Sequence, residues 1–160
     1  MSVNMIAEHL PERPALALLL RLLHQNLVQE IDLALREAGF NDIRPPHSNI
    51  FPFVPEQGIQ VNVLANLAGV RKQSMAQSIE QLEAAGYAYR EPDPKDGRAQ
   101  LVFLTDRGKS VRPVAMNAGR RVEERWAELT SPAEIESIRA SLKHLLETVR
   151  DASDPSESRH

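Results

Sequence analysis

The chain contains no cysteine, so disulfides, thiolate zinc sites and cysteine nucleophiles are excluded. Aromatic residues make up only 4% of the sequence against 42% hydrophobic residues. The core must therefore be built from Leu, Ile, Val and Ala, which suits helix packing. Long apolar runs are also missing. The stretch Ala15 to Leu20 ends at Arg21, far short of the ~20 residues a membrane span needs. No basic segment precedes it as in a secretory signal, so the expectation is a soluble, cytoplasmic protein with no membrane partner. There is no excess of positive charge, since the formal net charge is −3. A nucleic-acid partner would therefore require charge to be segregated along the chain. The sequence has no nucleophile elbow, no phosphate-cradling glycine loop and no His/Glu helix pair at metal spacing, which argues against an enzyme. His24, His47 and His144 show no pairwise i, i+4 spacing, so neither a metal nor a cofactor is expected.

What is present centres on Val61 to Leu104. In VNVLANLAGV, Leu64, Ala65 and Ala68 recur at helical spacing, and Gly69 supplies a turn. In RKQSMAQSIEQLEAAG, Met75, Ile79 and Leu82 form one apolar stripe at i, i+4 and i+7. The opposite face carries Gln73, Gln77 and Glu80, flanked by Ser74 and Gln81, with Ser78 beside them. Amides and hydroxyls on an outer face are suited to hydrogen-bonding something. Gly86 stops this helix. Tyr87-Ala88-Tyr89-Arg90 then alternates, crosses a DPKDGR tip and returns through Gln100 to Leu104, as a β-hairpin would. Helix, turn, helix and hairpin make a winged helix-turn-helix. The fold class expected is mainly α with a small β-hairpin wing.

The segments LANLAGVRKQSMAQSIEQLEAAGY and REPDPKDGRAQLVFLTDRG resemble the DNA-binding core of the MarR family of transcriptional regulators. The most specific pieces are Lys72-Gln73, Leu82-Glu83 ahead of Gly86-Tyr87, Asp93-Pro94, Asp96 with Arg98-Ala99, and Leu104-Thr105 before Gly108. The resemblance implies a homodimer on a pseudopalindromic double-stranded DNA operator. It also implies repression relieved by a small phenolic or aromatic carboxylate effector. In such a protein Gln73 and Gln77 would read base edges, since glutamine can bond adenine N7 and N6 together. Ser74 and Ser78 would contact bases or phosphate, and Arg71 and Lys72 would meet phosphate at the helix N-terminus. Family members usually carry Ser or Thr near position 71 as a helix cap, which arginine cannot be. At the wing, Lys95, Asp96 and Arg98 resemble the family's tip, where the aspartate braces an arginine that enters the minor groove. Taken alone, DPKDGR is also an ordinary charged turn.

The rest of the chain supports this layout. Pro14 suits the first turn of a long helix from Ala15 to about Ala38, whose leucines cover more than one face. Its surplus apolar surface fits a dimer interface, or the centre of a monomeric bundle. A short helix is expected from Pro45 to about Phe53, then a small strand at Gly58-Ile59-Gln60, with Asn62 capping the next helix. After the hairpin, Thr105 and Asp106 offer caps for a helix to about Leu129, with a bend or a later start at Pro113. Ser131, Pro132 and Glu134 have capping-box spacing. Ile135, Ile138, Leu142, Leu145, Leu146 and Val149 follow close to a heptad seam. The organisation expected is 1–40 and 105–150 for dimerisation, 41–104 for DNA binding, and 151–160 a disordered polar tail. Candidate effector-lining residues are His24, His47 and Phe51, with Phe40 and Phe53, and Arg21 or Arg44 to meet a carboxylate. The alternative function is a winged-helix module that binds another protein through the glutamine-rich face.

Overall fold

The computed structural model describes residues 10–48 and 50–153. The elements run α1 (Leu16–Glu37), α2 (Pro45–Ser48), a 3₁₀ turn (Phe51–Phe53), β1 (Ile59–Gln60), α3 (Val61–Leu67), α4 (Lys72–Ala84), β2 (Ala88–Asp93), β3 (Asp96–Leu104), α5 (Asp106–Leu129) and α6 (Pro132–Ser153). They fall into two compact units, residues 1–118 and 119–160, with the boundary inside α5.

In the first unit, the core is built almost wholly of aliphatic side chains around one tyrosine. Leu35, Ile50, Phe51, Val54, Leu64, Ile79, Leu82, Val102 and Val111 are buried together with Tyr87. The α4 stripe Met75, Ile79 and Leu82 faces this core, as the helical spacing requires. The α3–α4 turn is a Schellman close. Gly69 has φ +65°, its N–H bonds the Asn66 carbonyl, and the Val70 N–H bonds the Ala65 carbonyl. The sheet is three-stranded and antiparallel in the order β1-β3-β2, with Ile59 opposite Val102 and Ala88 opposite Leu104. This is a winged helix-turn-helix, and the short strand at Ile59–Gln60 pairs with the hairpin.

Several local expectations need correction. The wing tip is only Pro94-Lys95, because β2 runs to Asp93 and β3 starts at Asp96, with an irregularity at Pro92/Asp93. The proline supplies the turn and the flanking aspartates join the ladder. Pro14 lies outside α1, because the residue flanking the helix is Ala15. The segment after Pro45 splits into a four-residue helix and a separate 3₁₀ turn. Asn62 does not cap α3, because the helix begins one residue earlier with Gln60 in the flanking position. Helix α5 starts at Asp106 and runs through Pro113 to Leu129. Proline removes one internal bond there, and Thr105 offsets some of the cost by accepting the Gly108 N–H through Oγ1 (3.1 Å). Helix α6 extends to Ser153, so residues 151–153 are helical, and the rest of the expected tail lies outside the described residues.

In the second unit, Ser131 Oγ accepts the Glu134 N–H (3.1 Å), giving α6 its N-cap. Arg139 on α6 pairs with Glu123 on α5 (2.7 Å) and with Glu136 (3.1 Å). The α6 seam is largely open: Ile138, Leu142, Leu145, Leu146 and Val149 are all exposed. No helix among the described residues is long and apolar enough to cross a membrane.

Candidate nucleic-acid interface

Helix α4 turns its apolar stripe inward, which forces Gln73, Ser74, Gln77, Glu80 and Gln81 outward, where all are exposed, and leaves Ser78 half-buried. Arg71 occupies the N-cap position with no side-chain cap bond, so the early α4 N–H groups keep their donors for another acceptor. Arg71, Lys72, Lys95 and Arg98 are exposed. None of the ion pairs among the described residues uses any of these four cations. Arg90 differs. Its guanidinium grips Glu83 with two bonds, Nε to Oε1 (3.0 Å) and Nη2 to Oε2 (2.6 Å), tying β2 to the end of α4. Both partners are mostly buried, and the Glu83 bonds hold the Arg90 pKa above its ordinary value. Arg90 is therefore a structural cation, and the basic cluster available to a partner is smaller than the sequence suggests.

The wing is fastened at its base by groups the sequence does not reveal. Asp93 is buried, accepts Gln60 Nε2–H (2.6 Å) through Oδ2 and the Lys95 backbone N–H (2.8 Å) through Oδ1. The Gln60 bond first, then the Lys95 N–H, holds the Asp93 carboxyl below its usual range. Asp96 Oδ1 accepts the Arg98 backbone N–H (3.1 Å). The expected aspartate brace is thus made to the arginine's backbone, and the exposed guanidinium makes no ion pair.

A second knot closes the C-terminal end of α4. Tyr87 is fully buried and its hydroxyl donates to Asp42 Oδ1. Arg107 stacks over the Tyr87 ring at 4.3 Å, donates to its hydroxyl (2.9 Å) and to the Ala85 carbonyl (2.9 Å), and pairs with Asp42 (3.3 Å). Burial foremost, then the Asp42 bond, pushes Tyr87 up to about 12, and the same bond pulls the Asp42 carboxyl down.

The effector candidates are dispersed. His24 and Arg21 are exposed on α1, Arg44 is exposed ahead of α2, and Phe53 is partly exposed. Phe40 and Phe51 meet on Tyr87, each with ring centroids 6.1 Å from it. His47 is buried with both ring nitrogens engaged: Nδ1 accepts the Arg44 N–H (3.2 Å) and Nε2 bonds Gln81 Oε1 (2.8 Å). A small cleft lies elsewhere, lined by Val54, Glu56, Tyr89, Phe103, Lys109 and Arg112, with room for about one water. No group of three or more His, Asp or Glu among the described residues is placed to hold a metal ion.

A family model described as the MarR family matches residues 42–99, the segment that holds the helix-turn-helix, β2 and the first part of β3. Over that segment, about a third of its length, the chain is similar to the MarR family. Among curated proteins, the chain is similar to the transcriptional regulator HosA of Escherichia coli O111:H-, 28% identical over 83 residues. That match covers 52% of this chain and 62% of the relative's length. Among solved structures it is similar to a MarR crystal structure, with TM-score 0.77 and 23% identity, covering 91% of this chain and 97% of that one. It is also similar to a Staphylococcus aureus MepR–DNA complex, with TM-score 0.67 and 19% identity, covering 85% and 99%. At these identities the two structural likenesses are likenesses of fold.

Proposed function

We propose that this protein is a regulator of the MarR family, cytoplasmic and homodimeric, that binds a pseudopalindromic double-stranded DNA operator sequence-specifically. In this reading it is a repressor released by a phenolic or aromatic carboxylate ligand. The observation that carries the DNA reading is the set of four exposed cations without ion pairs, two at the start of α4 and two on the wing, beside an outer α4 face of amides and hydroxyls. Arg71 and Lys72 meet phosphate, where the uncapped α4 N–H groups also favour an anion. Gln73, Ser74, Gln77 and Ser78 face the major groove, where each well-formed bidentate contact discriminates by roughly 1–3 kcal/mol. Lys95 and Arg98 on the wing, with Asp96 holding the Arg98 backbone, reach the adjacent minor groove, whose negative potential favours a guanidinium. The MepR relative crystallised with DNA has the same fold.

The dimer reading rests on exposed apolar faces. Ile138, Leu142, Leu145 and Val149 recur at heptad spacing on α6, and Leu16, Leu20 and Leu23 recur at i, i+4 and i+7 on α1, all exposed. Each side chain withdrawn from water against a second copy contributes on the order of 1 kcal/mol. A two-fold pair of recognition helices would then meet half-sites about one helical turn apart. Release by a ligand requires that it bind one spacing of those helices more tightly than another. His24, His47 and Phe51, the candidate contacts, are on separate elements, so such a ligand would bridge α1, α2 and the 3₁₀ turn. A second reading, docking of another protein, is favoured by the exposed stripe Val63, Leu67 and Val70 beside α4.

The test is selection of bound sequences from random duplex DNA at two salt concentrations, with Arg98→Ala alongside. The reading expects an enriched inverted repeat, and a loss of about 0.9 in the salt slope for each phosphate contact removed. Weak, salt-sensitive binding with no enriched repeat would refute the regulator reading and favour the protein-docking one.

A further inference from the structure

Among the described residues, the side-chain hydrogen bonds that tie α4 to other elements are at one end of the helix. Its core contacts, Met75, Ile79 and Leu82, are apolar and have no preferred direction. Its directional ties to other elements are at the far half: Gln81 to His47, and Glu83 to Arg90. The near half starts at Arg71 with no cap bond. Gln73, eight residues before Gln81, is about 12 Å away along the helix axis at 1.5 Å per residue. A tilt of about 5° at the anchored end would therefore move Gln73 by ~1 Å, enough to break a bidentate amide contact.

We propose that His47 is a positioning residue for DNA binding, fixing the lie of the recognition helix α4 through its hydrogen bond to Gln81. This inference rests on the DNA reading above. The support on the His47 side is stiff. Pro45 and Pro46 restrict the backbone just before it. Ile50, Phe51 and Val54 are buried just after it, and Arg112 donates to the Phe51 carbonyl (2.7 Å) and to the Val54 carbonyl. The ring state is also determined. The Arg44 backbone N–H can only donate, so Nδ1 accepts and the proton is on Nε2, which donates to Gln81 Oε1. Gln81 lies on the same side of α4 as Ser74 and Ser78, at i+7 and i+3 from them, so its bond acts on the row that faces the groove. Gln81 is exposed as a residue, yet its carboxamide oxygen is committed, so its task is to hold the helix and not to read bases.

The experiment uses the full chain and two duplexes, one carrying the repeat selected by the wild type and one scrambled, with binding followed by fluorescence anisotropy. Gln81→Ala and His47→Phe are each expected to weaken the selected duplex roughly tenfold, while the scrambled duplex changes by less than about twofold. The double variant is expected to be no weaker than the worse single one, since both remove the same bond. His47→Gln, whose side-chain amide can place a donor near the Nε2 position, is expected to bind within about threefold of wild type. Because Gln81 is exposed, Gln81→Ala keeps the test intact if His47→Phe does not fold. A His47→Phe variant that folds and binds like wild type would overturn the inference. So would losses that multiply in the double variant, or equal weakening on both duplexes. If the wild type enriches no repeat, the DNA reading fails and takes this inference with it.

Discussion

Tyr87→Phe isolates one oxygen atom in the core and gives a stability effect whose size and pH dependence both follow from the structure. The ring is fully buried and packs on Phe40 and Phe51, contacts that phenylalanine keeps. What is lost is the hydroxyl's bond to Asp42 and the one it accepts from Arg107. A hydrogen bond to a charged group contributes about 1.5–3 kcal/mol. The Asp42 and Arg107 side chains are 45% and 49% exposed, so water can replace the lost partner. The expected cost near pH 8 is therefore about 1–2 kcal/mol, or roughly 2–8 °C in Tm for a chain of this size. The pH dependence is the sharper test. Tyr87 is raised from 10.0 to about 12, by burial first and the Asp42 bond second. Between those values the unfolded tyrosine has lost a proton that the native one keeps, so the unfolded state is favoured as pH rises. The contribution is complete below pH 10 and falls by about 1.4 kcal/mol per pH unit above it. The phenylalanine variant has no such group. The gap between the proteins, measured by urea unfolding at fixed protein concentration, should hold steady from pH 7 to 9 and close between 10 and 12. A gap unchanged at pH 12, or no gap at pH 8, would refute the assignment.

The remaining predictions concern other parts of the chain. Gly108→Ala would drive a methyl group into the Tyr87 carbonyl oxygen and against Leu104, backbone and core that cannot yield cheaply. It should cost several kcal/mol, on the order of ~3 or more, and a variant melting like wild type would contradict the close approach. Asp32 is buried on α1 with Oδ1 unpartnered, and burial, partly offset by Arg36, raises its pKa. The native state therefore holds that proton longer than the unfolded one, and stability falls as pH rises through the window that begins at 3.8. Asp32→Asn should abolish this slope and match or exceed wild-type stability at pH 7, and a loss there would show that the carboxylate has a needed partner. Leu142→Asp with Leu145→Asp should turn a dimer into a monomer by light scattering without loss of helix in residues 10–118. A variant that remains dimeric would exclude the α6 seam as the interface.

Much of this chain can be read from sequence because its signals are local. The α4 stripe needs only a 3.6-residue period, and Gly69 only the left-handed backbone past a helix end. Ser131 caps the helix that starts beside it. Where local reading of Asp93, Arg90 and His47 failed, a side chain on another element decided the outcome. Asp93 looked like part of a turn, but Gln60, 33 positions away, recruits it into the base of the wing. Arg90 lies close in sequence to Lys95 and Arg98, yet Glu83 holds it with two bonds. His47 followed two prolines and looked equally suited to a ligand, yet Gln81, 34 positions on, takes one nitrogen and the Arg44 N–H takes the other. Asn62 looked like a cap, and α3 began one residue too early for it to serve.

The sequence by itself determined the order of the elements, the inward face of α4 and the resemblance of the helix-turn-helix and wing to the MarR family. All three depend on residue spacing over one or two turns, where side-chain direction follows the backbone period. Only the tertiary structure decided which charged and polar groups remain available to a partner. A cation's availability depends on whether a carboxylate lies within about 4 Å, and folding brings such pairs together from positions that no local pattern connects. Thus Arg71, Lys72, Lys95 and Arg98 remain without ion pairs among the described residues, while Arg90 and Arg107 are engaged with Glu83 and Asp42.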